Sequence, residues 1–487
     1  MSHVLSEMTI DRLHEMIKRG ETTAEAMMQY CLERIEAIDE KINAVILINP
    51  EALDEARALD RYYAENGFVG PLHGVPILVK DNFETEGIET TAGSLSLKGF
   101  IPKQDAFLLT RIKKAGGIVV AKANLHEFAI WGETISSVLG QTLNPYDLTR
   151  TPGGSSGGTG AGIAADYGII GLGTDTINSV RSPASANNLV GIRPTMGLLS
   201  RSGIVPYSYT QDTAGPITRC VKDAAVALEI MKGVDPSDPI TSKQSEHSSA
   251  SESYLDHLKV DGLKNKRIGV LNALFGTASI HTSTNSAVRK AILDMEAAGA
   301  QMVSLDEACD TDWLVKEVSV HLHDFKDHLN LYLGQLPVYM PYSTMADIYE
   351  SDLIHEGVRG NIEQAMTLST KTDHYQARIE KQEVERIKLK AIFEKYALDA
   401  IVYPHQKQLV CFAGQSQLER NGVLASVTGF PSICVPVGFS EPDGNAPIGV
   451  PIGMEILGLP FTEGRLLEIA FGYERQYGKR KAPQISG

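Results

Sequence analysis

No stretch of this 487-residue sequence approaches the roughly 20 apolar residues that a membrane-spanning helix needs. The opening residues, MSHVLSEMTIDRL, lack the basic start and apolar run of a secretory signal, so no targeting segment is expected. Cysteine is scarce: Cys31, Cys220, Cys309, Cys411 and Cys434 are scattered, odd in number and without a CxxC pair. Free thiols in a reducing compartment, and so a cytoplasmic protein, are the simplest reading. Basic residues are outnumbered, 45 Lys and Arg against 60 Asp and Glu, which leaves a formal net charge of −15. An acidic chain of this length binds phosphate backbones poorly, so nucleic acid is not expected as a partner. Internal repeats are absent, and so is any HExxH or comparable ligand set. The histidines of Asn124-Leu-His-Glu-Phe128 and of the run from His321 through His323 to His328 are the nearest approach to one. Two histidines at i and i+2 point to different helix faces, so solvated or locally hydrogen-bonded histidines are expected, with no metal and no cofactor.

What remains is an ordinary globular composition, 43% hydrophobic and 22% charged, able to bury a sizeable core. The length admits two or three domains or one large one. Thr9 to Ile38 reads as two short amphipathic helices, the second capped by Thr23. Strand-like runs at 43–48, 74–80, 117–121 and 169–172 alternate with helical segments at 51–65 and 106–115, the pattern of an α/β layer architecture. Residues 233–253 are polar, rich in serine and hold two prolines, which suggests a surface connection. A strand pattern restarts at 263–271, followed by a helix over 284–298. From 306 to 395 the chain reads almost wholly helical, as an inserted cap within a single 1–487 unit would. Strand character returns at 400–402, 431–437 and 453–457 before a closing helix over 463–477.

The densest signal is Arg150-Thr-Pro-Gly-Gly-Ser-Ser-Gly-Gly-Thr-Gly160. A flexible linker fits its composition, but the flanks are structured. A phosphate cradle would end in Gly-Lys-Ser/Thr, and a dinucleotide fingerprint needs a glycine where Ile163 stands. The nucleophile-elbow pattern GxSxG does match twice. An elbow, however, must leave a buried strand directly, and no central strand tolerates Asn144-Pro-Tyr-Asp-Leu-Thr-Arg-Thr-Pro152. It also needs a late histidine with an acidic partner, and His405 has no obvious one.

The wider constellation decides among these readings. Upstream lies Gly74-Val-Pro-Ile-Leu-Val-Lys-Asp81. Downstream lie Gly171-Leu-Gly-Thr-Asp-Thr-Ile-Asn-Ser-Val-Arg-Ser-Pro183 and Gly191-Ile-Arg-Pro-Thr-Met-Gly197. In order, text and spacing these motifs resemble the amidase-signature family, from about residue 20 to 230. The likeness resumes at Gly429-Phe-Pro-Ser-Ile-Cys-Val-Pro-Val-Gly438 and Gly449-Val-Pro-Ile-Gly453. Gln211-Asp-Thr-Ala-Gly-Pro-Ile-Thr-Arg219 and the tail around Glu474 and Pro483 lean toward the bacterial peptide-amidase-like branch. The resemblance implies a large mixed, twisted sheet flanked by helices. It also implies hydrolysis of a C–N bond in a small amide, by a monomer or homodimer.

Carried over residue by residue, the resemblance makes Ser179 the nucleophile, Ser155 the bridging serine and Lys80 the base. A lysine's ordinary pKa is about 10.4, so work as a base near neutrality needs burial or nearby cations. A lysine ending an apolar strand is placed for that, although taken alone Lys80 would read as a snorkelling strand-end residue. The family's bridging serine follows a cis peptide bond, here Gly154–Ser155, with flanking glycines giving the backbone its freedom. Its oxyanion donors are backbone N–H groups, here of Thr176, Ile177, Asn178 and Ser179. Ser156, Asp175 and Arg181 are expected to brace the loops, and Phe128, Ile130 and Trp131 to line the substrate pocket. One departure stands out: the family's Gly-Gly is Ile177-Asn178 here. Asn tolerates left-handed backbone angles and Ile does not, so the hole is expected to survive but to be narrower. The same tetrahedral chemistry extends to carbamates and esters. Two other readings stay open: an amidotransferase component of the tRNA-charging branch, and a binding homologue without activity.

Overall fold

A computed structural model describes residues 5–247, 249, 252–478 and 480–485. Met1 to Val4, at the start of the segment read for targeting, lie outside the described residues, as do Ser248, Ala250 and Ser251 of the polar connection.

Thirteen strands form among the described residues: β1 Val45–Ile48, β2 Pro76–Lys80, β3 Ile118–Ala123, β4 Ile135–Ser136, β5 Gly140–Gln141, β6 Ile170–Asp175, β7 Val190–Arg193, β8 Thr213–Thr218, β9 Arg267–Leu271, β10 Gln301–Leu305, β11 Ala400–Pro404, β12 Ser432–Phe439 and β13 Pro451–Leu457. Eleven of them make one sheet in the order β1-β3-β2-β6-β8-β7-β12-β13-β11-β9-β10, and β4 and β5 pair as a separate hairpin. The sheet is mixed. β3, β2 and β6 run parallel, as do β11, β9 and β10, and the central pairs are antiparallel. Strands β2 (PILVK) and β3 (IVVAKA) are buried at every residue, as near-continuous apolar runs in the covered parallel part of a sheet should be.

Two central strands escaped the sequence reading. β7 is only four residues long, and β8 (TAGPIT) carries a glycine and a proline that argue against a central strand. Tertiary context overrides that propensity, and Pro216 sits opposite Leu172 of β6. The second N-terminal helix, Ala24–Ile42, outruns its expected end. It is capped by Thr23, whose hydroxyl accepts the N–H of Ala26, and stopped by left-handed Asn43. The polar segment from 233 folds back on the core: Asp235 accepts the Ser200 hydroxyl at 2.6 Å, and Gln244 donates to the Gly197 carbonyl.

Between β10 and β11 the chain is helical, with helices His321–Leu333, Met345–Glu350, Glu356–Met366 and Asp373–Tyr396. The first three share an apolar cluster of their own, including Phe325, Leu329, Met345, Ile348 and Ile362. That cluster also takes in Ala92, Phe128, Ile130, Val205 and Tyr207. The helical segment is thereby packed on the loops that leave the carboxyl ends of β2, β3 and β7.

Candidate functional site

β2 ends on Lys80, whose side chain is completely buried. Its ammonium nitrogen lies 2.7 Å from Ser155 Oγ and 2.7 Å from Thr174 Oγ1, with no carboxylate in contact. Burial dominates its electrostatics and pulls its pKa down to about 7, partly opposed by the fields of Asp212 and Asp175. Thr174, the residue before Asp175 at the end of β6, was not singled out from the sequence. Its place inside the Gly171–Pro183 motif was the available signal.

Ser155 follows a cis Gly154–Ser155 peptide in the turn that feeds the helix Gly157–Ala164. No strand precedes this turn, so a nucleophile elbow is ruled out here by geometry as well as by sequence. Thr134 clamps the loop: its hydroxyl donates to the Gly153 carbonyl and accepts the N–H of Gly157. A side chain on Gly154 would come within 2.7 Å of Thr134 Oγ1, so this close approach requires glycine. The Ser155 carbonyl accepts the N–H of His126 at 3.0 Å. Ser156 faces away and donates to the Thr174 carbonyl, while its N–H donates to the Ser179 carbonyl at 3.2 Å, tying the two serine loops together.

Ser179 sits in the loop after β6. Among the described residues, the N–H groups of Thr176, Ile177, Asn178 and Ser179 donate to no protein acceptor, whereas that of Val180 is taken by Asp175. Four free consecutive donors beside a serine suit a developing oxyanion. Neither Ile177 nor Asn178 has a positive φ, so the left-handed tolerance of asparagine is not used. Room for the Asn178 side chain comes from Gly422, where a Cβ would lie 2.8 Å from the Asn178 Cβ. Ile177 also packs against the apolar cluster around Phe393 and Leu424, and its carbonyl accepts from Arg181 and Ser426.

A fully buried charge network holds this loop. Arg181 grips both oxygens of Asp175, and its Nη1 lies 2.7 Å from Glu455 on β13. Arg193 adds a 2.8 Å contact to Asp175. Burial alone would raise the Asp175 pKa, but the two guanidinium groups outweigh it and hold the carboxylate well below its usual range. Glu455 also contacts His405 Nδ1 at 2.7 Å and accepts from Tyr403 and Ser432. His405 therefore does have an acidic partner, one that the sequence, with the two 50 positions apart, did not reveal. The pair belongs to the Arg181 network.

A small cavity opens at Ser179, lined by Ala129 to Trp131, Thr176 to Ser179, Tyr207, His321 and Arg420. Larger clefts lie elsewhere, at the Asp373–Tyr396 helix and near Arg201, away from the serines. Ile130 and Trp131 line the Ser179 cavity. Phe128 does not; it packs 6.3 Å from the Phe325 ring in the helical segment. Phe128, Ala129 and Thr134 all take left-handed φ without being glycine, a concentration of backbone strain typical of sites that hold precise geometry. His126 and His321 are buried and hydrogen-bonded, not solvated, and burial pulls both pKa values down to about 3. No cluster of three or more metal-ligating side chains occurs among the described residues.

A family profile described as Amidase matches residues 26–467. The chain belongs to the amidase-signature family. It is 33% identical to a glutamyl-tRNA(Gln) amidotransferase subunit of Caldanaerobacter subterraneus subsp. tengcongensis, over 99% of both chains. Among solved structures it is similar to the native peptide amidase of Stenotrophomonas maltophilia, with a TM-score of 0.89 and 32% identity over 99% of each chain. Its likeness to the corresponding glutamyl-tRNA(Gln) amidotransferase subunit of Thermotoga maritima has a TM-score of 0.77 at 25% identity, again over 99% of both. Membership carries chemistry at an amide C–N bond, by hydrolysis or by amido transfer. No helix among the described residues is long and apolar enough to cross a membrane.

Proposed function

We propose that this amidase hydrolyses the C–N bond of a small amide through an acyl-enzyme on Ser179, with Ser155 and Lys80 as the proton relay. The observation that carries the reading is the 2.7 Å contact between a buried, carboxylate-free Lys80 ammonium nitrogen and Ser155 Oγ. Neutral Lys80 takes the Ser155 proton as Ser155 takes that of Ser179, and Ser179 Oγ attacks the amide carbonyl carbon. The carbonyl oxygen becomes an oxyanion within reach of the free N–H groups of residues 176–179. The relay then runs backwards to protonate the leaving amine, the C–N bond breaks, and the acyl group stays on Ser179. A water molecule, deprotonated by the same relay, attacks the ester and releases the acid. The helical segment 306–395 serves in this reading as a cap over the site.

The amidotransferase relatives favour a second reading, in which the chain releases ammonia from an amide and hands it to a partner protein. Purified chain, assayed alone on a panel of simple amides, separates the two. Turnover without a partner, abolished by Ser179→Ala and mostly lost in Lys80→Ala and Ser155→Ala, supports the first. Activity only with an added partner would favour the second, and Ser179→Ala turning over at near wild-type rate would end both. A serine-directed sulfonyl fluoride should label Ser179 and spare Ser156.

A further inference from the structure

Two polar atoms in residues that line the Ser179 cavity have no partner among the described residues: the Tyr207 hydroxyl and His321 Nε2. Both side chains are at least nine-tenths buried, at 4% and 3% exposure. An unpaired buried polar atom is costly, so such atoms call for an account. The cavity has about 20 Å³ open to a water-sized molecule, room for a single water. A water can serve these atoms in the free enzyme, and a substrate group can replace it.

The surroundings fix what that group must be. Ser319 Oγ lies 2.6 Å from His321 Nδ1 and 3.0 Å from Gln211 Oε1. Gln211 Oε1 can only accept, so the Ser319 proton must point to it, and His321 Nδ1 must carry the hydrogen of the other bond. That tautomer leaves His321 Nε2 as a bare acceptor. Gln211 Oε1 also accepts the N–H of Val320 and Gln382 Nε2, which fixes the bridge. The Tyr207 ring is held edge-on against His321 and Phe325, at 5.5 and 5.1 Å between centroids. The charged residue lining the cavity, Arg420, is neutralised by Glu133 at 2.7 Å and lies over the Trp131 ring. The lining therefore presents no unpaired charge, and the Asp212 carboxylate behind it is taken up by Thr176 Oγ1 and the N–H groups of Tyr207 and Ser208. Burial keeps His321 neutral and pushes the Tyr207 phenol well above its ordinary range.

We infer that Tyr207 and His321 form a specificity subsite that reads an uncharged N–H donor on the acyl part of the substrate, as in an acylamino amide. The inference rests on the Ser179 acyl-enzyme reading and names its substrate class. His321 Nε2 accepts the N–H and the Tyr207 hydroxyl donates to the neighbouring carbonyl. A site built around such atoms discriminates strongly against an analogue that leaves them unpaired.

The test compares N-acetylglycinamide with 4-oxopentanamide, in which a CH2 replaces the N–H. Wild type should favour the former by about 10- to 100-fold in kcat/KM, the effect of one or two buried hydrogen bonds. His321→Leu should erase the preference and His321→Gln, which keeps an acceptor, should restore part of it, whereas Tyr207→Phe should lower both rates together, because both amides carry the carbonyl to which it donates. Each protein is judged by its ratio between the two amides, which a common change in rate cancels. Binding of both amides to Ser179→Ala protein, with and without His321→Leu, gives a readout independent of turnover. A binding preference that His321→Leu removes, in a chain that turns over neither amide, would sink the acyl-enzyme reading and keep the subsite. Turnover of both amides with a preference unchanged in His321→Leu, whether or not the two rates fall together there, would sink the subsite alone. Binding of neither amide would overturn the subsite as well.

Discussion

Two lysines are buried on neighbouring strands of this sheet, and they have opposite fates. Lys80 ends β2 and Lys122 lies on β3, with Lys122 paired in register to Val79. Both are wholly buried. Lys122 sits 3.1 Å from Asp81 and also donates to the Phe83 carbonyl and Thr90 Oγ1. Lys80 meets only hydroxyls. Burial lowers both pKa values, but the Asp81 carboxylate opposes it at Lys122, while at Lys80 the nearest carboxylates act from beyond contact. One lysine is thus a brace held to a carboxylate, and the other, which we propose as the base, has its pKa drawn down to about 7. The difference lies in one carboxylate and not in depth.

The largest expected effect comes from removing the proposed base. Lys80→Met should lower kcat by about 100- to 10,000-fold, the usual range for losing a general base, with the circular dichroism spectrum unchanged. Its stability should move the other way. The folded pKa of Lys80, about 7, is below the unfolded one, so the unfolded chain holds an extra proton between pH 7 and about 10.5. Wild-type stability therefore rises with pH across that window. The methionine variant, free of the penalty, should gain more on wild type at pH 6.5 than at pH 9.5 in thermal melts.

Depriving the brace of its partner should cost nearly as much, in stability instead of turnover. Asp81→Asn strands a buried Lys122 charge, and breaking such a pair costs about 3–5 kcal/mol. Adding Lys122→Met to it should recover much of that loss, which chemical denaturation of the four-protein cycle would measure. An additive cycle would show that the pair is not coupled.

A subtler distinction is in pH dependence. The rate kcat/KM should rise tenfold per unit below pH 7 and level off above it, because only neutral Lys80 can take the Ser155 proton. Lys122→Met should leave that inflection within about half a unit, since one unit is only about 1.4 kcal/mol of interaction and the two ammonium groups have separate partners. The smallest expected effect is at Ile177-Asn178. Replacing them with Gly-Gly should shift the kcat/KM ratio of a bulky to a small acyl amide several-fold toward the bulky one, with a general loss of up to about 100-fold if the looser turn misplaces an oxyanion donor. An unchanged ratio would show that Ile177 does not shape the cavity.

Much of this was readable in the chain. The alternation of strands and helices, the helical stretch from 306 to 395 and the closing helix Glu463–Tyr477 all follow from periodicity, and the structure has them within a few residues. The serine loops were legible because glycine density and Gly-Ser text are local. β7 and β8 were not, since their residues are chosen for close packing and not for strand propensity. Lys122 carries the same signal as Lys80, a charge in an apolar strand, but has no motif around it. Glu455, Gly422 and Tyr207 gave no local signal at all, and the histidine run marked His321 without revealing its place at the cavity, because their partners lie far away in the chain.

Local sequence decided which groups are available for chemistry: a strand ending in Lys80, a glycine-flanked Ser155 and a loop bearing Ser179. Only the fold decided how they are charged. Asp81 follows Lys80 directly in the chain and yet pairs with Lys122, because successive side chains on an extended strand point to opposite faces. That alternation, with β3 laid beside β2, separates the one acid at hand from the lysine that must stay free of it.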